Sequence, residues 1–70
     1  MDSKTLDELI DEIIDLLNER KIDLDTIEAV ISAFQTEEQC RKMIDILKET
    51  KHPSKTFLLG KTILIADGDI

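Results

Sequence analysis

Apolar residues in the first third of the chain recur at the spacing of an α-helix. At about 100° per residue they form one continuous sector roughly 160° wide, broader than the stripe of a simple surface helix. Acidic residues occupy the opposite side. The pattern predicts an amphipathic helix over residues 6–21. The apolar sector comprises Leu6, Leu9, Ile10, Ile13, Ile14, Leu16 and Leu17, and the acidic side Asp7, Glu8, Asp11, Glu12, Asp15 and Glu19.

Capping-box patterns mark where further helices begin. In such a box a first side chain accepts a backbone N–H of the opening turn, and a side chain three positions later reaches back. The pairs are Thr5 with Glu8, Asp25 with Glu28, and Thr36 with Gln39. They predict a second helix over 26–35 and a third over 37–50, which meet at a tight corner. Their apolar faces consist of Ile27, Val30, Ile31 and Phe34, and of Cys40, Met43, Ile44 and Leu47.

The C-terminal segment 53–66 is compatible with two structures. Pro53 near its start and Gly68 after its last apolar residue match the proline-first, glycine-last order of a helix. Its β-branched residues and the internal Gly60 also suit a short β-hairpin, but an isolated hairpin lacks a third strand to pack on. We therefore prefer a fourth helix. Residues 57–65 would be apolar nearly all round such a helix, which implies burial on several sides.

The chain length favours one small helical domain, an all-α bundle spanning residues 1–70. A 70-residue chain buries only about 60% of its unfolded surface, so a monomer is marginally stable. Cys40 is the single cysteine, which excludes an internal disulfide. Helix packing and self-association remain as sources of stability. The predicted core seam consists of Leu9, Ile13, Leu17, Val30, Phe34, Met43 and Leu47.

Charge is spread unevenly along the chain, whose net charge is −7. Residues 1–40 contain twelve acidic and three basic side chains, whereas residues 41–70 contain four acidic and six basic. The acidic balance, the absence of Trp and Tyr, and the acidic start of the third helix disfavour nucleic-acid binding. A small nucleic-acid-binding regulator remains the alternative function. Its contacts would be a weak basic patch of Arg41, Lys42, Lys48, Lys51, Lys55 and Lys61.

The residues with reactive side chains form no recognisable catalytic or metal-binding pattern. Cys40 falls on the core side of its helix, where cysteine is usually inert, and His52 is the only histidine. Residues 60–62 (Gly-Lys-Thr) lack the rest of a phosphate-binding loop, and residues 67–69 (Asp-Gly-Asp) lack the rest of a calcium loop. We expect no enzyme activity, no cofactor and no metal.

The cellular location follows from equally simple features. The N-terminus is acidic where a secretory signal would be basic and then apolar. The longest apolar run, residues 63–66, is far shorter than the ~20 residues that span a bilayer. A free cysteine without a disulfide framework suits a reducing compartment. We expect a cytoplasmic protein that does not bind membranes.

These features predict a non-catalytic helical protein–protein interaction module whose partner is a second copy or another protein. The apolar sector of the first helix is too wide for three short elements to cover, so one of its edges should contact a second chain. The edges are Ile14 and Leu16, our candidate interface. The acidic side is interpreted as a solvated surface, since like-charge pairs on a helix cost only a few tenths of a kcal/mol each; contact with a basic surface is the alternative.

Overall fold

All regular secondary structure in the computed structural model, which describes residues 4–70, is helical. The predicted domain therefore begins three residues before the described part. The prediction of an all-α fold is confirmed, and the C-terminal segment forms a fourth helix rather than a hairpin. The radius of gyration of 11.0 Å is that of a compact chain of this length. The helices are α1 (Leu6–Glu19), α2 (Leu24–Ser32), α3 (Glu37–Glu49) and α4 (Lys55–Asp67).

Two of the three predicted capping boxes are confirmed. At the start of α1, the backbone N–H of Glu8 donates to the Thr5 hydroxyl at 3.3 Å, and the Glu8 carboxylate accepts the Thr5 N–H at 3.1 Å. At the start of α3, Thr36 and Gln39 make the equivalent pair of bonds, both at 3.2 Å. Both helices therefore begin where the sequence predicts.

The third predicted box is wrong, because α2 begins at Leu24 and its N-cap is Asp23 rather than Asp25. The Asp23 carboxylate accepts both the backbone N–H of Thr26, at 3.0 Å, and its hydroxyl, at 2.7 Å. These two hydrogen bonds satisfy the backbone N–H and the hydroxyl of Thr26, which is buried. The helix also ends at Ser32, earlier than predicted, so residues 33–36 form a longer connection to α3.

The bounds of the other three helices differ from the predicted ones by one or two residues. α1 ends at Glu19 rather than at residue 21 because Lys21 adopts a left-handed conformation (φ 60°), which no α-helix can continue. α3 ends at Glu49, one residue early. α4 begins after its N-cap Ser54, which leaves Pro53 outside the helix. It ends at Asp67 and is followed by Gly68, whose φ of 83° matches the expected glycine cap.

The four helices form a closed ring in which each packs against two others. α1 packs against α2 and α3, and α4 packs against the same two helices. The diagonal pairs, α1 with α4 and α2 with α3, have no Cα atoms within 8 Å of each other in residues 4–70. The second and third helices therefore do not pack together as they do in a helix-turn-helix motif.

The core lies where the four helices meet, and all seven residues of the predicted seam are buried in it. Ile13, Leu17, Val30, Met43 and Leu47 are completely inaccessible to solvent. α4 contributes Leu58, Ile65 and the polar Thr62, whose hydroxyl donates to the Leu58 carbonyl at 2.7 Å. The remaining buried apolar residues are Leu9, Ile27, Phe34, Cys40 and Ile44.

The Arg20 side chain joins the C-terminal ends of α1 and α3. Its guanidinium donates to the carbonyl of Leu16 in α1 at 3.1 Å, to that of Thr50 at 2.9 Å and to that of Leu47 in α3. The Leu16 carbonyl also accepts the Arg20 backbone N–H, whereas the carbonyls at the end of α3 have no partner within that helix, and a cation is favourable at both helix ends. One side chain thus caps two helices and fixes their ends side by side.

The first stability prediction concerns Ile13, at the centre of the core. Ile13→Ala should lower the free energy of unfolding by about 2–5 kcal/mol, because it leaves a cavity where no solvent reaches. Urea unfolding followed by circular dichroism measures this loss. A loss below about 1 kcal/mol, the average for any substitution, would contradict the central position of Ile13.

The second stability prediction concerns the double cap. Arg20→Met keeps most of the aliphatic stem but removes the donors to both helix ends, and should cost about 2–4 kcal/mol in the same unfolding measurement. Arg20→Lys keeps the charge without the fork of donors and should recover only part of that loss. If the methionine and lysine variants unfold like the wild type, the guanidinium bonds do not stabilise the fold.

Candidate interaction surfaces

The predicted interface residues Ile14 and Leu16 both lie half-buried on α1. Each packs against the hydrophobic core cluster rather than standing free in solvent. The short helices α2 and α3 therefore cover both edges of the wide apolar sector in part, which the sequence argument did not anticipate. The surplus apolar surface of this chain is found elsewhere.

The acidic side of α1 faces solvent, as expected for a polar helix face. Two of its carboxylates have local roles. Glu12 forms an ion pair with Lys4, and Glu8 closes the capping box of α1. The hydrogen bonds that Glu8 accepts, chiefly from the Thr5 backbone N–H, hold the pKa of that carboxyl below its ordinary value. At least part of this face therefore serves the helix itself.

The largest exposed apolar side chains lie on α2, on α4 and at the C-terminus. Leu24 is 67% exposed, Ile63 60%, Ile70 43% and Leu64 36%. Ile70 lies beside Ile46 of α3, and its backbone carbonyl accepts a hydrogen bond from Lys42. Two of these four residues, Ile63 and Leu64, are neighbours within α4, where the exposed apolar surface is continuous.

Five exposed residues of α4 fall within one sector of about 100°, which we call the outer face of α4. It points away from the buried side formed by Leu58, Thr62 and Ile65. A Cβ placed on Gly60, at the middle of this face, would meet no other atom within 4 Å. The outer face of α4 comprises Thr56, Gly60, Ile63, Leu64 and Asp67.

The six basic residues of the alternative nucleic-acid site are distributed over α3, α4 and the connection between them. Arg41 and Lys42 face the carboxylates of Glu37 and Glu38, at 3.5 and 3.8 Å, one turn earlier on the same helix. The Lys61 ammonium lies 5.5 Å from the centre of the Phe57 ring.

The other three basic residues lie on α3, in the connection and on α4. Lys48 lines a shallow groove between α1 and α3 together with Lys4, Arg41 and the acidic Glu12 and Asp45. Lys51 is exposed in the connection between α3 and α4, and Lys55 is the first residue of α4. The structure thus mixes these cations with carboxylates and apolar groups.

Cys40 and His52, the two side chains considered for nucleophilic or acid–base chemistry, differ in their exposure to solvent. Cys40 is completely buried, and burial raises the pKa of its thiol, which keeps it protonated and unreactive. His52 is exposed in the connection that precedes Pro53. Within residues 4–70, no three His, Cys, Asp or Glu side chains converge in a way that could hold a metal ion, and every buried side-chain polar atom has a hydrogen-bond partner.

Sequence reasoning missed the outer face of α4, although a signal for it was present. The segment was predicted to be apolar nearly all round and therefore buried on several sides. In the structure only one side of this helix is buried. Its apolar residues on the other side, Ile63 and Leu64, are therefore exposed to solvent. None of the helices in residues 4–70 has the length and hydropathy needed to cross a bilayer.

Comparisons of the chain with protein-family models, with curated proteins and with solved structures find no match. Its function is therefore argued from the surfaces described above.

A pH measurement tests the local role of Glu8. Because its pKa is lowered in the folded state, it contributes stability above the pKa of about 4.5 that it has when unfolded, and this contribution disappears as the pH falls through the folded value. Glu8→Gln keeps an acceptor for Thr5 but cannot titrate. Urea midpoints of the two proteins should therefore differ in favour of the wild type at neutral pH and converge in acid. A difference that stays constant with pH would contradict the capping role.

Proposed function

We propose that this chain is a non-catalytic helical interaction module that self-associates. The observation that carries the proposal is the exposure of large apolar side chains on a fold that otherwise buries its apolar residues in one core. Monomers normally expose apolar residues singly, whereas contiguous ones mark contact surfaces. Ile63 and Leu64 are adjacent in α4 and both exposed.

The small size of the domain supports the same proposal. A domain of 70 residues gains little stability from its own core, and burying further apolar surface between copies is a common remedy. A single free cysteine without a disulfide suits a reducing compartment, so we propose that the module acts in the cytoplasm. The partner needed by this proposal is a second copy of the chain, and no cofactor enters it.

Sedimentation equilibrium of the wild-type protein tests the proposal directly. We expect the apparent mass to rise above the monomer mass of 8.0 kDa as the concentration increases towards about 1 mM, since small interfaces give weak complexes. An apparent mass that remains at the monomer value over this whole range would contradict self-association. If the apparent mass rises with concentration in the wild type and equally in variants of the exposed apolar residues, the chains associate through some other surface.

A further inference from the structure

The outer face of α4 has two features that the fold of a single chain does not explain, and a third, the charge at its two ends, that gives the face a direction. The first is Gly60, which lies in the middle of a 13-residue helix. Glycine in a helix interior is destabilising relative to alanine. Neither a positive φ nor a close neighbour requires it, because a Cβ would meet empty space. Within one chain, glycine at this position brings only a cost.

The second feature is the pair of large apolar residues next to this glycine. Ile63 and Leu64 follow Gly60 by three and four positions, so they lie one turn along the same side of the helix. Both are exposed, at 60% and 36%. The face thus presents a gap of one missing side chain beside a projecting apolar group.

The third feature is the charge at the two ends of α4. Its first turn contains no acidic residue and its last turn no basic one. Instead, Lys55 stands at the start and Asp67 at the end, opposite to what the helix dipole favours. By contrast, α1 and α3 carry Asp7, Glu8, Glu37 and Glu38 in their first turns. Within the chain, Lys55 is attracted to Asp23. A partner helix running the other way would bring opposite charges to both ends of α4.

We propose that the outer face of α4 binds the same face of a second copy in the antiparallel direction. A two-fold axis between residues 61 and 62 places Ile63 of each copy over Gly60 of the other, so that the projecting group fills the gap twice. The same axis places Thr56 opposite Asp67, where the hydroxyl can donate to the carboxylate. A self-complementary contact of this kind is what a two-fold dimer requires.

The end charges select the antiparallel direction. In that arrangement Lys55 of one copy lies beside Asp67 of the other, and each of these charges also meets the opposite end of the partner's helix dipole. In a parallel arrangement Asp67 would face Asp67, Ile63 would face Ile63, and the gap at Gly60 would face another gap. Both charge and shape therefore favour the antiparallel pair.

The position of α4 in the ring also lets two acidic chains approach each other. Each chain carries a net charge of −7, which opposes self-association. The most acidic helix is α1, and it is diagonal to α4, with no Cα atoms of the two within 8 Å. Contact through α4 keeps the two acidic helices apart, whereas contact through the edges of α1 would bring them together.

The area available predicts a weak and reversible dimer. α4 is only about 20 Å long at 1.5 Å per residue, so a single helix pair buries less surface than a standard specific interface. This inference rests on the proposed function, since it identifies the surface through which the module self-associates.

Sedimentation equilibrium of matched variants tests the surface. Ile63→Glu should raise the dimer dissociation constant roughly tenfold or more, because it puts a charge over Gly60 of the other copy. Leu24→Glu makes the same exchange at a still more exposed residue of α2 and should leave the constant within about twofold. Circular dichroism should show unchanged helix content in both. A dimer that survives Ile63→Glu, or that both variants weaken equally, would overturn the inference.

Gly60→Ala separates a role in the dimer from a role in the helix. The added methyl group should raise the thermal midpoint of the monomer, since nothing obstructs it. The same group occupies the gap for Ile63, so the dimer should weaken several-fold. If alanine stabilises the helix and leaves the dissociation constant unchanged, no second helix packs over Gly60 and the inference fails.

A charge exchange tests the direction. Asp67→Lys should weaken the dimer, and Lys55→Glu combined with Asp67→Lys in one chain should restore part of the loss. The exchanged charges again face each other, although each then meets the like end of the partner's helix dipole. A double variant that dimerises no better than Asp67→Lys alone would overturn the antiparallel arrangement.

Variants of the interface predicted from the sequence, Ile14 and Leu16, complete the test. If Ile14→Glu or Leu16→Glu dissociates a dimer that the α4 variants leave intact, the contact lies on α1; the proposed function then stands and this inference does not. A wild-type protein that never dimerises would remove both.

Discussion

Each helix in the described chain packs against only two others, and this limit governs which side chains can be covered. A helix in such a ring has one side turned inward and one turned to solvent. α1 fits the limit, because its apolar sector faces the core and its acidic side faces water. α4 does not fit it, because its apolar residues extend round to the side that no other helix of the chain reaches. The exposed surface is thus a consequence of placing an almost uniformly apolar segment at a position with two neighbours.

The ring is held in register at its ends as well as in its core. Arg20 caps the last turns of α1 and α3 together, so these helices cannot slide past each other without losing its hydrogen bonds. Asp23 fixes the start of α2 by accepting two bonds from the buried Thr26. A small core gains little from burial alone. The hydrogen bonds of Arg20 and Asp23 at the helix ends therefore favour this arrangement of the four helices over other arrangements.

The sequence predicted the inward-facing residues well and the outward-facing surplus poorly, for related physical reasons. Periodicity identifies the core side of an amphipathic helix, so Ile13 and Met43 were found buried as expected. A segment that is apolar all round has no such periodicity, and nothing in it says which side stays in water. Asp23 rather than Asp25 is the N-cap of α2 because it accepts the hydrogen bonds of Thr26, and the pattern of residues did not reveal that Thr26 is buried. The wide sector of α1 drew attention to Ile14 and Leu16, yet packing against short neighbouring helices covers much of both.

The acidic face of α1 affects which surfaces of two chains can approach each other. Repulsion between two strongly negative surfaces disfavours any dimer that brings α1 close to another α1, while it matters least for contacts made from the diagonal side of the ring. In the dimer proposed above, the acidic face would restrict where association can occur without taking part in it. Dense negative charge on one helix is tolerated because the like-charge cost within a solvated face is small. Between two chains, the same charge leaves the outer face of α4 as the approach with the least repulsion.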